Sequence, residues 1–189
     1  MKKILSFSLC LALLLGCSAA TAETAGRTFT GELSVNGRFT VRWIAPEGYH
    51  VTDVDSAEGG YMILTLLPDD DNAGGRPMMT VSIAPDELLS DVKRLNDLDD
   101  AVLEMIADTF RAEDRVEVTY METANGTKLM VIKEVMENVD FVDFYTIYMG
   151  YEIELVLTQT ADMRGTSITD GQITSVMRFL SDMEFLPAE

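Results

Sequence analysis

Residues 141–160, FVDFYTIYMGYEIELVLTQT, constrain the fold more than any other stretch. They read as two β-strands folded back at Met149-Gly150. A two-residue loop at Met149-Gly150 pairs Tyr148 with Tyr151; a loop at Gly150-Tyr151 pairs Tyr148 with Ile153. The registers differ by two residues, so both give the same faces. Phe144, Thr146 and Tyr148 then share a core face with Ile153, Leu155 and Leu157. The opposite face carries Tyr145, Ile147, Met149 and Val156 with Glu152 and Glu154, and is apolar enough to need partial cover. The hairpin explains a fold and leaves the activity open.

Two further hairpins are written in Asn-Gly pairs, which favour tight turns because both positions take φ > 0. One is Asn36-Gly37, with Phe39, Val41 and Trp43 alternating inward. The other is Asn125-Gly126, joining residues 116–122 to 128–136. Pairing outward from it sets Val116, Val118 and Tyr120 beside Leu129, Val131 and Val135. Pro46 and Gly48 break the chain after the first hairpin, since proline cannot donate to a ladder. Residues 50–55 read as a short edge strand. Residues 61–67 form a nearly continuous apolar strand, which predicts burial on both faces. Residues 68–77 are a loop and residues 78–84 another strand.

Two stretches have helical periodicity. In residues 98–110, Leu98, Val102, Met105, Ile106 and Phe110 make one stripe, with Asn96 or Asp97 as cap. In residues 169–180, Thr169 and Gln172 have the form of a capping box, and Ile173, Val176, Met177 and Leu180 make the buried stripe. Pro187 marks a fraying end. Strands, a helix, strands and a helix predict an α+β fold, a mainly antiparallel sheet flanked by helices.

The chain of 189 residues, 47% hydrophobic, suffices for one domain with a sizeable core. Its formal charge of −18 disfavours nucleic acid and anionic lipid surfaces. Lys2 and Lys3 followed by the apolar residues 4–15 read as an export signal, too short to span a bilayer. Two processing signals compete. Ala20-Thr21-Ala22 gives a signal peptide of residues 1–22. Leu14-Leu15-Gly16-Cys17 resembles a lipobox, which gives residues 1–16 and makes Cys17 the lipidation candidate. Residues 23–27 are then a polar tether and residues 28–189 the domain. Cys10 and Cys17 are the two cysteines, so no disulfide or thiolate site falls in the domain.

The run FTVRWIAPEGY at residues 39–49 is an apolar strand followed by Pro46, Gly48 and an aromatic residue. It resembles the opening of the PsbP-like superfamily, which includes a photosystem II extrinsic subunit, a Ran-binding import factor and bacterial secreted lipoproteins. The later aromatic strand, Gly150-Tyr151, apolar strand and capped helix resemble the same superfamily. The resemblance spans about residues 39–185. It implies an α/β/α sandwich and a non-catalytic adaptor or binding role, and carries over no catalytic residues. Fold alone assigns neither photosystem nor Ran.

Three constellations are candidates for chemistry. His50 is the single histidine, so a histidine-based nucleophile pair or metal site has to use it. A surface turn histidine is the ordinary reading; burial against Asp53 or Asp55 is the competing one. Asp69-Asp70-Asp71-Asn72 with Gly74-Gly75 invites calcium, but an EF-hand frame from Asp69 wants glutamate where Thr80 stands, and from Asp53 where Leu64 stands. Asp100, Glu104 and Asp108 recur along one helix face without an interleaved lysine, either a solvated face or a docking ridge for a basic partner. No catalytic, cofactor or metal residue is assigned, and no cofactor is expected. The expectation is a non-catalytic extracytoplasmic binding or adaptor module of a bacterial cell surface, meeting an unknown protein or small ligand. It touches membrane only through a lipid anchor. A cation- or ligand-sensing domain using the acidic loops and a carboxylate-dependent secreted hydrolase are the alternatives.

Overall fold

The computed structural model describes residues 28–57, 60–69, 76–111, 116–135, 140–159 and 168–188. The leader with Cys17, the tether and Asp70, Asp71 and Asn72 lie outside them.

The described strands form two antiparallel sheets. The small one has the order β1 (Gly31–Val35), β2 (Phe39–Trp43), β10 (Glu184–Pro187). The large one contains β3 (Tyr49–Ala57), β4 (Tyr61–Pro68), β5 (Met78–Pro85), β6 (Val116–Glu122), β7 (Lys128–Val135), β8 (Asp140–Tyr148) and β9 (Tyr151–Thr158). Its order is β3-β4-β5-β9-β8-β7-β6. Helices α1 (Asp100–Arg111) and α2 (Asp170–Asp182) complete an α+β architecture.

The central hairpin takes the tighter register, Tyr148↔Tyr151, with Met149 at φ 51° and Gly150 at φ 80°. Both residues of the loop are left-handed, as a twist-matched two-residue turn requires. Phe144, Ile153, Leu155 and Leu157 are buried on one face with Leu64 and Val81, under β2 and α2. Phe39 sits at the junction, edge-on to Tyr148 and to Tyr151 at 5.2 Å each. On the other face Tyr145 and Ile147 join Met130, Ile132, Leu103 and Ala107 beneath α1. That helix is the cover the apolar hairpin face called for, but it reaches only the β6–β7–β8 side.

Several expectations are corrected. Residues 61–67 are not buried on both faces: Met62, Leu64 and Leu66 are buried, while Ile63, Thr65 and Leu67 remain partly exposed. Helices cover the sheet unevenly, so an apolar strand keeps a half-open side. Tyr120 pairs with Met130 and Val118 with Ile132, one residue off the expected register. The turn spans Thr123 to Thr127, closed by Thr123 N–H to the Thr127 carbonyl and Gly126 N–H to the Thr123 carbonyl. Asn125 Oδ1 accepts from the Thr127 amide within it. An odd loop count moves every side chain to the other face.

Helix α1 starts later, and its inward stripe is shifted: Leu98, Ile106 and Phe110 pack partly buried against the cluster as expected, but Leu103 and Ala107 form its buried centre. A 3₁₀ turn at Leu95–Asp97 precedes it, and Asp99 caps it by accepting from Val102 N–H at 2.9 Å. Asn96 instead bridges the Gly126 carbonyl and the Lys128 amide. Leu103 and Ala107 are buried, whereas Met105 is 64% exposed. The edge strand runs from Tyr49 to Ala57, longer than expected, with a bulge between Val51 and Asp53. Pro187 ends a strand rather than a frayed tail: β10 pairs with β2, Phe185 opposite Val41. The capping box of α2 is formed as expected.

Candidate binding groove

The corner after β2 builds one wall of a groove of about 610 Å³. Pro46 ends the ladder, and Tyr49 N–H returns to its carbonyl at 3.1 Å. Gly48 takes φ 79°, and a Cβ there would lie 1.7 Å from Arg76 Nη1. Only glycine lets the arginine cross this corner. Arg76 donates to the Gly48 carbonyl at 3.2 Å and stands over the Tyr49 ring at 6.0 Å. The Tyr49 hydroxyl donates to the Pro77 carbonyl at 2.9 Å. Burial raises the pKa of that hydroxyl and the Arg76 charge partly offsets the rise.

The opposite wall is α2. Its first turns present Gly171, Thr174 and Ser175, and its next turn Arg178. Thr174 and Ser175 return their hydroxyls to the Asp170 and Gly171 carbonyls, so they smooth the wall rather than reach across it. Met79 and Phe179 supply apolar lining, and Glu47 and Asp182 line the groove together with the two arginines. The groove therefore offers both charge signs over an apolar floor, the pattern of a ligand seat with few orienting polar groups.

The sequence-derived candidates do not meet here. His50 Nδ1 lies 2.9 Å from Asp69 Oδ1, both side chains more than half exposed. The competing burial against Asp53 or Asp55 is thus corrected: the strand bulge leaves Asp53 opposite Thr65 and Asp55 opposite Ile63. The first aspartate of the calcium candidate is engaged by His50. Among the described residues no cluster of three or more His, Cys, Asp or Glu is placed to hold a metal. The row Asp100, Glu104, Asp108 is not bare repulsion, because Arg111 donates to Glu104 at 2.7 Å and to Asp108 at 3.1 Å.

The acids with perturbed protonation lie elsewhere, on the outer face of the large sheet. Burial, then the Glu154 carboxylate, pushes Asp143 up to about 8. Its Oδ1 is buried without a hydrogen-bond partner. Glu152 is also raised, mainly by burial, although it accepts from the Tyr145 hydroxyl at 3.0 Å. These two acids stand outside the groove, so they do not make it a two-carboxylate hydrolase cleft. Sequence reasoning passed over Arg76, Arg178 and Asp143. Asp143 alone left a signal: an acid at an outward position between Phe141 and Tyr145 in a largely aromatic and apolar strand.

No protein-family model matches the chain, and no curated protein matches it. Among solved structures it is similar to the solution structure of cyanobacterial PsbP (CyanoP) from Synechocystis sp. PCC 6803. The identity is 15%, over 85% of this chain and 94% of that one, with a TM-score of 0.39. A likeness at that identity and TM-score bears on neither role nor partner. Among the described residues no helix is long and apolar enough to cross a membrane.

Proposed function

We propose that residues 28–189 act as one non-catalytic binding or adaptor module outside the cytoplasm of a bacterial cell, with the groove between the Pro46 corner and α2 as its ligand seat. The observation that carries this reading is the groove's lining: apolar and aromatic Tyr49, Met79 and Phe179 together with charged Arg76, Arg178, Glu47 and Asp182. Such a lining recognises a small or segmental ligand with an apolar body and polar ends. The leader supports the location: Lys2, Lys3 and the apolar residues after them read as an export signal.

A ligand-observed NMR screen of small polar-apolar compounds against the full chain tests the seat. Ser175→Trp fills the groove from an exposed helix position without touching the core. Hits that bind the wild-type chain and are lost in Ser175→Trp support the reading; hits that ignore the substitution, or an absence of hits, overturn it. Mass spectrometry of the mature N-terminus tests the location. A diacylated Cys17 or a free Glu23 agrees with export, and an intact Met1 ends that part of the reading.

A further inference from the structure

The large sheet has two unequal outer halves. Helix α1 lies over β6, β7 and β8 and buries Met130, Ile132, Tyr145 and Ile147. The cluster beneath that helix takes no residue from β9, β5, β4 or β3. Cross-strand pairing there sets Asp53 opposite Thr65, Thr65 opposite Thr80, Thr80 opposite Val156, and Val156 opposite Asp143. The next row sets Asp55 opposite Ile63, Ile63 opposite Ser82, and Ser82 opposite Glu154. Thr65, Thr80, Val156 and Ile63 are each partly exposed, and Asp53 and Asp55 are exposed at the edge. The surface is thus a strip of threonine and β-branched apolar side chains bounded by Asp53 and Asp55 at the β3 edge and by Glu154 on β9, with the buried Asp143 beyond Val156.

Two physical facts choose its occupant. Strands β3, β4, β5 and β9 contain no lysine or arginine, so the strip has no positive charge of its own to neutralise these acids. Four strands spaced about 4.8 Å apart span roughly 14 Å, and an α-helix with side chains is about 10–12 Å across. The open half has room for one helix alongside α1, as α1 itself occupies three strands. A second copy of this chain would set the same carboxylates against each other in a two-fold contact, and like charges facing across an interface are costly. We propose that this half-face docks an amphipathic helix of a partner protein, its apolar stripe on Ile63, Thr80 and Val156 and its flanking lysines or arginines on Asp53, Asp55 and Glu154.

The test uses the full chain and two synthetic helical peptides with the same leucine stripe, one flanked by lysines and one by glutamates, in isothermal titration calorimetry. The lysine-flanked peptide is expected to bind and the glutamate-flanked one is not. Thr80→Lys, in the middle of the strip, should weaken binding about tenfold or more. The exposed double variant Asp53→Lys with Asp55→Lys should do the same without approaching the core, so a folding defect in the first variant leaves the second to decide. Asp97→Lys with Asp100→Lys, in the 3₁₀ turn before α1 and at its first residue, should leave affinity unchanged, as should the groove variant Ser175→Trp. Equal loss in the α1 variant would reduce the effect to the chain's overall negative charge, and absence of binding by the lysine-flanked peptide would end the proposal. The groove can fail its own test without affecting this one.

Discussion

The Tyr148 hydroxyl donates to the main-chain carbonyl of Phe185 at 3.2 Å, and the two rings lie with centroids 5.1 Å apart. Tyr148 ends β8 in the large sheet and Phe185 lies in β10 of the small one, so this side chain, beside the Phe39 ring, helps tie the sheets at the central hairpin. Tyr148→Phe keeps the ring and removes the bond; it should cost ~1 kcal/mol. Tyr148→Ala, which also removes ring contacts to Phe39, should cost more. Urea denaturation measures both, and equal costs for the two variants would show that the ring contributes nothing.

Gly150 adopts φ 80°, and a Cβ there would lie 2.9 Å from Ser90 Cα and 3.0 Å from the Ser90 carbonyl. Gly37 has φ 66° with open space around it. Both replacements by alanine incur the left-handed cost of about 1–2 kcal/mol, but only Gly150→Ala also collides with backbone. Gly150→Ala should therefore lower the melting temperature more than Gly37→Ala. Indistinguishable melting curves would remove the role given to this close approach.

Asp143 couples stability to pH. An unfolded aspartate titrates near about 4, whereas burial beside Glu154 raises the folded group to about 8. Between those values the native chain holds a proton that the unfolded chain has lost, so this group's contribution falls as pH rises through the window. Below it both states are protonated and the penalty vanishes; above it the penalty is complete. Asp143→Asn should stabilise the fold by ~1–3 kcal/mol at about pH 9 and by little at about pH 4. A gain independent of pH, from paired urea titrations, would contradict a buried ionisable Asp143.

Thr169 Oγ1 accepts from Gln172 N–H while the Gln172 side chain accepts from Thr169 N–H at 2.7 Å. Thr169→Ala should cost ~1 kcal/mol. Because α2 forms one wall of the groove, its fraying should also weaken any groove ligand. Circular dichroism melting with and without a ligand from the NMR screen separates the two effects.

His50 and Asp69 form an exposed pair. Exposed ion pairs contribute little because water competes for both partners, so His50→Ala should change stability by less than about 1 kcal/mol. A larger loss in urea denaturation would mark this strand end as more than a solvated turn.

Local chemistry determined what the chain could settle within a few residues. Residues 141–160 set a hairpin and its two faces while leaving two registers open, the alternation of Phe39, Val41 and Trp43 set an inward face, and Thr169 with Gln172 set a helix start. Each depends on neighbours close in sequence, and each is formed in the structure. Tertiary contacts decided the rest. Val116, Val118 and Tyr120 shifted by one residue because the Thr123–Thr127 backbone closes a wider loop than Asn125-Gly126 alone. Met105 stayed outside because α1 meets the sheet through Leu103 and Ala107, flanked by Ile106 and Phe110. Residues 184–187 became a strand only because β2 offered an edge. The groove and the acidic half-face follow the same rule. Arg76 and Arg178 lie far apart in the chain, as do Asp53 and Glu154. A sequence records charge and periodicity locally, and only packing brings such side chains onto one surface.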